Sequence, residues 1–185
     1  ALLPEEYIKG GNLNGAVTLR GSWKNLYLDG GLKITNLAGE IPVLSEQFSQ
    51  VNGEILLTQQ ALQFKEIKGR YGKGNFSFTG DLLYTNLKPD GFQLLLEGKD
   101  LHYVNGLFNG YVDGKVRLSG EVNRPILSGE AVAKNTRISL GSALSGGTAP
   151  KINMDFDLNL KTGHDVYFRQ YGLANFPLNG EMHLG

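Results

Sequence analysis

The stretch Ile152-Asn153-Met154-Asp155-Phe156-Asp157-Leu158-Asn159-Leu160 decides the fold. Apolar and polar residues alternate without a break, and a period of two places each set on its own face of a β-strand. The same alternation recurs along the chain. Leu26, Leu28, Gly30, Leu32 and Ile34 oppose Tyr27, Asp29, Gly31, Lys33 and Thr35. Phe76, Phe78, Gly80, Leu82 and Tyr84 oppose Asn75, Ser77, Thr79 and Asp81. Val112, Gly114, Val116, Leu118, Gly120 and Val122 oppose Tyr111, Asp113, Lys115, Arg117, Ser119 and Glu121. Phe176, Leu178, Gly180, Met182 and Leu184 form the last such face.

These runs are about ten residues long, above the usual strand length of roughly 5–6. One dry and one wet face predict antiparallel pairing, because parallel strands are usually covered on both sides. Turn signals separate the runs at Pro89-Asp90-Gly91, Asn123-Arg124-Pro125, Ser145-Gly146-Gly147 and Thr162-Gly163-His164-Asp165. Helix is expected only as short turns, at Pro4 to Ile8 and at Pro42 to Gln50, where Leu44 and Phe48 stand four apart. The expected fold class is therefore all-β, with long antiparallel strands and little helix, in one β-rich segment over residues 1–185.

Composition narrows the function. Lys plus Arg and Asp plus Glu are both 18, so no net charge attracts nucleic acid or marks a basic membrane patch. Cysteine is absent, which excludes disulfides, thiolate metal sites and a cysteine nucleophile. Glycine numbers 26 of 185, about twice its usual share of roughly 7%. No stretch approaches the 18 or so apolar residues of a membrane-spanning helix. The first residues do not read as a signal peptide, and the last strand pattern is still running at Gly185. These ends suggest a fragment of a longer β protein.

Many of the glycines belong to a recurring pattern. It appears as Gly15-Ala16-Val17-Thr18-Leu19-Arg20-Gly21, Gly74-Asn75-Phe76-Ser77-Phe78-Thr79-Gly80 and Gly114-Lys115-Val116-Arg117-Leu118-Ser119-Gly120, with a partial copy from Gly180. The alternation puts these glycines on the apolar face, where they would let a sheet bend or coil.

A one-faced sheet must cover its apolar face. Helices long enough to do so are lacking, so three solutions remain: a second sheet, a closed barrel, or a sheet curled around a non-protein guest. Alternation is the same in all three. In the last, the face becomes a groove suited to acyl chains, each buried CH₂ contributing about 0.8 kcal/mol. Its expected lining is Leu28, Leu32, Ile34, Phe76, Phe78, Leu94, Leu96, Val116, Leu118, Met154, Phe156, Leu158, Leu160, Leu178 and Met182.

Two tracts resemble the TamB-type domain. The first runs from Val51-Asn52-Gly53-Glu54-Ile55 through Leu62-Gln63-Phe64 and Gly69-Arg70-Tyr71-Gly72-Lys73-Gly74-Asn75-Phe76 to Gly80. The second is Gly114 to Gly120, followed by Arg124-Pro125-Ile126-Leu127-Ser128-Gly129-Glu130. The close, Asp165-Val166-Tyr167-Phe168 through Leu178-Asn179-Gly180, is of the same type. The resemblance implies a curled, trough-like sheet with an apolar interior, a β-taco, as in AsmA-like and bridge-like lipid transfer proteins. It implies a periplasmic part of a protein anchored in the inner membrane of a two-membrane bacterium. It further implies phospholipid as cargo, or assembly of outer-membrane proteins with a TamA-type or other BamA-family barrel. The family brings no catalytic residues and no cofactor.

Other chemistry is weakly signalled. His102, His164 and His183 are far apart and lack metal-ligand spacing. Asp155 and Asp157 share a polar face, which a solvated strand explains better than a calcium site. Gly69 to Gly74 is basic and glycine-rich but lacks the strand-to-helix setting of a phosphate loop, and a turn is expected there. No Gly-x-Ser-x-Gly elbow accompanies His164-Asp165. Trp23 and the tyrosines are expected in core or rim packing. An enzyme is disfavoured. The competing readings are a lipid conduit, a chaperone-like assembly module and a structural β-solenoid.

Overall fold

The structure, a computed structural model, describes residues 7–41, 44–105, 107–139, 154–169 and 176–185. The alternating runs become strands of one sheet. They are β1 (Ile8–Ser22), β2 (Asn25–Gly39), β3 (Phe48–Leu57), β4 (Ala61–Tyr71), β5 (Gly74–Thr85), β6 (Lys88–Val104), β7 (Phe108–Glu121) and β8 (Arg124–Ser139). After these come β9 (Asp155–Thr162), β10 (Val166–Arg169), β11 (Phe176–Pro177) and β12 (Glu181–Leu184). The sheet is open and curled, and no α-helix occurs among the described residues; the alternation predicts the strands and the family resemblance predicts the curl. β1 to β8 follow one another in order as an antiparallel meander.

Antiparallel pairing stops at β8. β9 pairs with it in parallel over Ile126–Ala133, and β10 pairs in parallel over Thr136–Ser139. Both lie on the same side of β8, so Thr162–Asp165 is an interruption within one strand line and not the reversing turn expected there. Gly163 donates to the Ala133 carbonyl, and Asn135 and Thr136 donate to those of His164 and Asp165, so the ladder is carried through the interruption. β12 and β11 then pair antiparallel with β9 and β10.

Three further expectations are corrected. The turn before β6 is Asn86–Leu87, both left-handed (φ 51° and 63°), the geometry of a two-residue hairpin loop. Pro89, Asp90 and Gly91 lie inside β6. Asn123 does turn, but Arg124 and Pro125 already pair with Glu121 and Gly120. In the Pro42–Gln50 stretch, residues 44–47 are not helical, and Phe48–Gln50 open β3, because Phe48 pairs with both Gly39 and Tyr71. Ile8, likewise, begins β1. Tyr7 before it keeps a 3-10 conformation, in line with the short helical turn expected there. Pro4 to Glu6 and the Ser145-Gly146-Gly147 turn lie outside the described residues.

The strands bend at bulges. Asn36, Gln50, Glu66, Asp100 and Asn135 all have φ between 45° and 54°. Each sits at a register shift where one strand gains a residue over its neighbour. A bulge bends its strand and increases its twist. It also advances the alternation by one residue. Ile34 and Leu37, three apart, therefore face the same way, because their partners Gly53 and Val51 are two apart. Phe64 and Ile67 are matched to Gly80 and Phe78 in the same manner. The last glycine of each recurring motif adds to the coiling: Gly21, Gly80 and Gly120 have φ of 104°, 123° and 95°. A Cβ on Gly80 would lie 2.0 Å from the Gln93 carbonyl oxygen.

An ion cluster fixes two of these bulges from the polar side. The Asp100 amide donates to Asp113 Oδ1 at 2.7 Å. Lys134 Nζ binds Asp100 Oδ1 at 2.6 Å and Asp113 Oδ2 at 2.7 Å, joining β6, β7 and β8. Burial alone would raise the Asp113 pKa, but the Asp100 amide and Lys134 outweigh it and hold the carboxyl below its ordinary range. The hydrogen bonds to Asp100 and Asp113 push the Lys134 ammonium up. The Asp113 contribution is thus present above its unfolded pKa, near 3.8, and is lost as pH falls through the depressed folded value. The Lys134 contribution is present below 10.5 and is lost as pH rises through the raised value. Lys134→Met should lower stability at pH 7 by about 1 kcal/mol in urea unfolding. The gap from wild type should narrow once pH falls below about 4. A pH-independent gap would assign the loss to packing instead.

Candidate functional site

Because the bulges keep the alternation in phase, the apolar face can be followed strand by strand across the sheet. One line of paired residues runs Leu13, Ile34, Gly53, Ile67, Phe78, Leu96, Val116, Gly129, Leu158 and Leu184. A second runs Gly15, Leu32, Ile55, Phe64, Gly80, Leu94, Leu118, Leu127 and Phe156. A third runs Leu37, Val51, Gly69, Phe76, Gly98, Gly114, Ala131, Leu160 and Met182. The face thus forms a trough whose length runs across the strands. Its wall carries no charged residue along these three lines.

Of the fifteen residues expected in the lining, twelve lie on these lines. Leu28 lies on the same face of β2, opposite Leu19. Met154 precedes β9, and Leu178, whose N–H donates to the Val166 carbonyl, falls between β11 and β12. Ile55, Phe64, Ile67 and Leu127 belong to the same wall but were not expected there. The bulges at Gln50 and Glu66 break the visible period around the first three, and Pro125 and Gly129 flank the fourth. The usable signal was a slip of apolar spacing from two to three.

The trough is not uniform. Over β2 to β5 it closes on itself. Ile34, Val51 and Ile67 are buried, with Leu37, Phe48, Ile55, Phe64, Phe76 and Phe78 packed around them. Phe64 and Phe78 meet with ring centroids 4.9 Å apart and planes tilted by 57°. From β6 onward the wall is lined by Gly98, Gly114, Gly129 and Ala131 among leucines, and it is more open. Leu96, Phe156, Met182 and Leu184 are exposed, Phe156 at 45%, although Leu158 is buried. On β1, Leu13, Val17 and Leu19 are also exposed.

Side-chain hydroxyls tie the closed section at both rims. At one rim the β3–β4 hairpin is shorter than its neighbours, so Leu28 of β2 has no strand partner on that side. The buried Tyr84 at the end of β5 reaches over the hairpin tip. Its hydroxyl accepts the Leu28 N–H at 3.2 Å and donates to the Thr58 carbonyl. At the other rim, the Ser45–Glu46 connection crosses the β4–β5 tip to reach β6. Ser45 Oγ accepts the Val104 N–H at 3.2 Å and lies 3.2 Å from the Tyr71 hydroxyl. Tyr71 accepts the Glu46 N–H at 3.1 Å, and Glu46 Oε1 meets His102 Nδ1 at 2.7 Å.

On the polar face the candidate carboxylates and histidine are paired with one another or with neighbours. Asp155 is paired with Arg124 at 2.8 Å, and Asp157 lies 3.8 Å from His183. His183 Nδ1 is 3.0 Å from Asn159. Among the described residues, no three His, Cys, Asp or Glu side chains are grouped to hold a metal ion. Gly72–Lys73 is the expected turn between β4 and β5. Trp23, expected in packing, is instead 97% exposed at the β1–β2 tip. Among the described residues, no helix is long and apolar enough to cross a membrane.

An open, curled β-sheet with a continuous apolar inner wall defines a β-taco trough. A family model described as the TamB C-terminal domain matches residues 63–185, from within β4 to the end of the chain. The chain belongs to the TamB family. No curated protein and no solved structure matches it.

The two sections should respond differently to truncation. Phe78→Ala should cost about 3 kcal/mol, the loss of a packed aromatic. Phe156→Ala should cost less than about 1 kcal/mol, since little of its surface is buried. Equal losses in denaturant titrations would mean that the open section packs as tightly as the closed one.

Proposed function

We propose that the chain is a segment of a periplasm-spanning envelope protein, anchored in the inner membrane, whose trough conducts phospholipid toward the outer membrane. The observation that carries this reading is the continuous apolar wall that stays partly uncovered from β6 to β12. A protein core of this composition would be closed by another layer. Acyl chains would cover it without directional contacts, at about 0.8 kcal/mol per CH₂. The headgroup would remain at the open side, in water. Membership of the TamB family supports the same reading.

The test is the lipid that the purified protein carries. Phospholipid extracted from the wild type should be measurable by phosphate assay and native mass spectrometry. Phe156→Asp places a carboxylate on the open wall at an exposed position, so the variant should fold and retain less than half as much lipid. Asp157→Asn, on the polar face, should retain as much as wild type. A folded Phe156→Asp protein with undiminished lipid would count against conduction along β9.

A second reading, assembly of outer-membrane β-barrel proteins with a TamA-type partner, draws on β1. All fifteen of its residues are exposed, and among the described residues it pairs only with β2, which leaves a long row of backbone donors and acceptors for an added strand. A photocrosslinker at Thr18 should then capture nascent barrel strands in cells. Capture of lipid alone at that position would speak against this reading.

A further inference from the structure

We propose that the β2–β5 section is a gate within the trough, shut by two side-chain latches, and that resting lipid occupies only the β6–β12 section. The inference rests on the conduit reading and specifies where the guest lies and what regulates its passage. Its starting point is volume. The same three lines of wall residues cross both sections, yet on them β4 and β5 contribute Phe64, Phe76 and Phe78, which with Phe48 pack around Ile34, Val51 and Ile67 and fill the curl. β6 to β8 carry Gly98, Gly114, Gly129 and Ala131 among leucines, and from β6 onward the wall stays more open, with Leu96, Phe156, Met182 and Leu184 exposed. An acyl chain cannot share space with a packed aromatic cluster. A path along the whole trough therefore requires β2 and β5 to separate.

What resists that separation is local and polar. On one rim it is Tyr84, which spans from β5 to Leu28 of β2. On the other it is Ser45 with Glu46, which span from the β2–β3 connection to Tyr71, His102 and Val104. Each latch bonds backbone groups at strand ends, where water can replace the lost partner. Opening there costs less than breaking a ladder within the sheet. The buried cluster would then exchange its own aromatic contacts for contacts with acyl chains, a replacement of one apolar surface by another.

Site-specific photocrosslinking tests the proposal, with p-benzoylphenylalanine replacing Phe78 in the closed section or Phe156 in the open one. The purified proteins would be loaded with radiolabelled phosphatidylethanolamine. With intact latches, lipid capture should be at least tenfold stronger at position 156 than at 78. Tyr84→Phe combined with Ser45→Ala should raise capture at 78 severalfold and leave 156 unchanged. Hydrogen exchange at the Leu28 and Val104 amides would report that the latches are broken. Because Tyr84→Phe alone removes one rim's latch, it serves if the double variant fails to fold. Equal capture at both positions in the latched protein would overturn the gate and leave the conduit standing. So would unchanged capture at 78 in a variant whose amides exchange freely. No capture at either position would overturn the conduit reading, and the gate with it.

Discussion

The structure depends on keeping one apolar face in phase along strands that must also bend. Strand side chains change face at every residue, so any local irregularity threatens to turn the apolar set outward. A sheet this long cannot curl into a trough if its strands stay straight. The bulges at Asn36, Gln50, Glu66, Asp100 and Asn135 meet both needs at once. Each supplies the bend, and each is matched by a shift of apolar spacing from two to three that returns the next side chain to the wall. The left-handed conformation is least costly for Asn and Asp, which occupy three of the five positions. Where Asp100 bulges, Asp113 and Lys134 hold it in place from the polar side.

Curling has a second consequence. Neighbouring hairpins end at different heights, and a short hairpin leaves the backbone of the next strand unpaired near the rim. An amide left without a strand partner there must find water or a side chain. Tyr84 and Ser45 answer this by placing a hydroxyl, which can both accept and donate, where a strand is missing. The same two residues hold the curl at its tightest section. The polar satisfaction of the rim and the closure of the trough are therefore one piece of chemistry.

The sequence made part of this legible. Uninterrupted alternation, as from Met154 to Leu160, locates a strand and its apolar face, and most of the expected wall residues do lie on one face. Alternation could not show the bulges, because an inserted residue looks like the end of a strand. That is why Ile55, Phe64 and Ile67 went unassigned. It also favoured the familiar turn signal Pro89-Asp90-Gly91 over Asn86–Leu87, a turn that relies on a leucine at positive φ. The parallel pairing of β9 with β8 was hidden too. A strand with one polar face reads as antiparallel whichever way its neighbour runs, and here a parallel pair keeps one face wet.

Hydropathy alone does not distinguish a core from a surface that holds a guest, since both are lined by the same residue types. Volume does. Along a single line of the wall, Phe76 of β5 is followed by Gly98, Gly114 and Ala131 on the next three strands. The curl is carried past them, and over Gly98 an aliphatic side chain, Leu101, lies where the aromatic cluster has ended. If this face were only a core, the small residues would leave it underpacked, at a cost that increases with the empty volume. The same residues are favourable if the space is filled by something other than protein. The end of the aromatic cluster between β5 and β6 thus separates the packed part of the trough from the part proposed to bind.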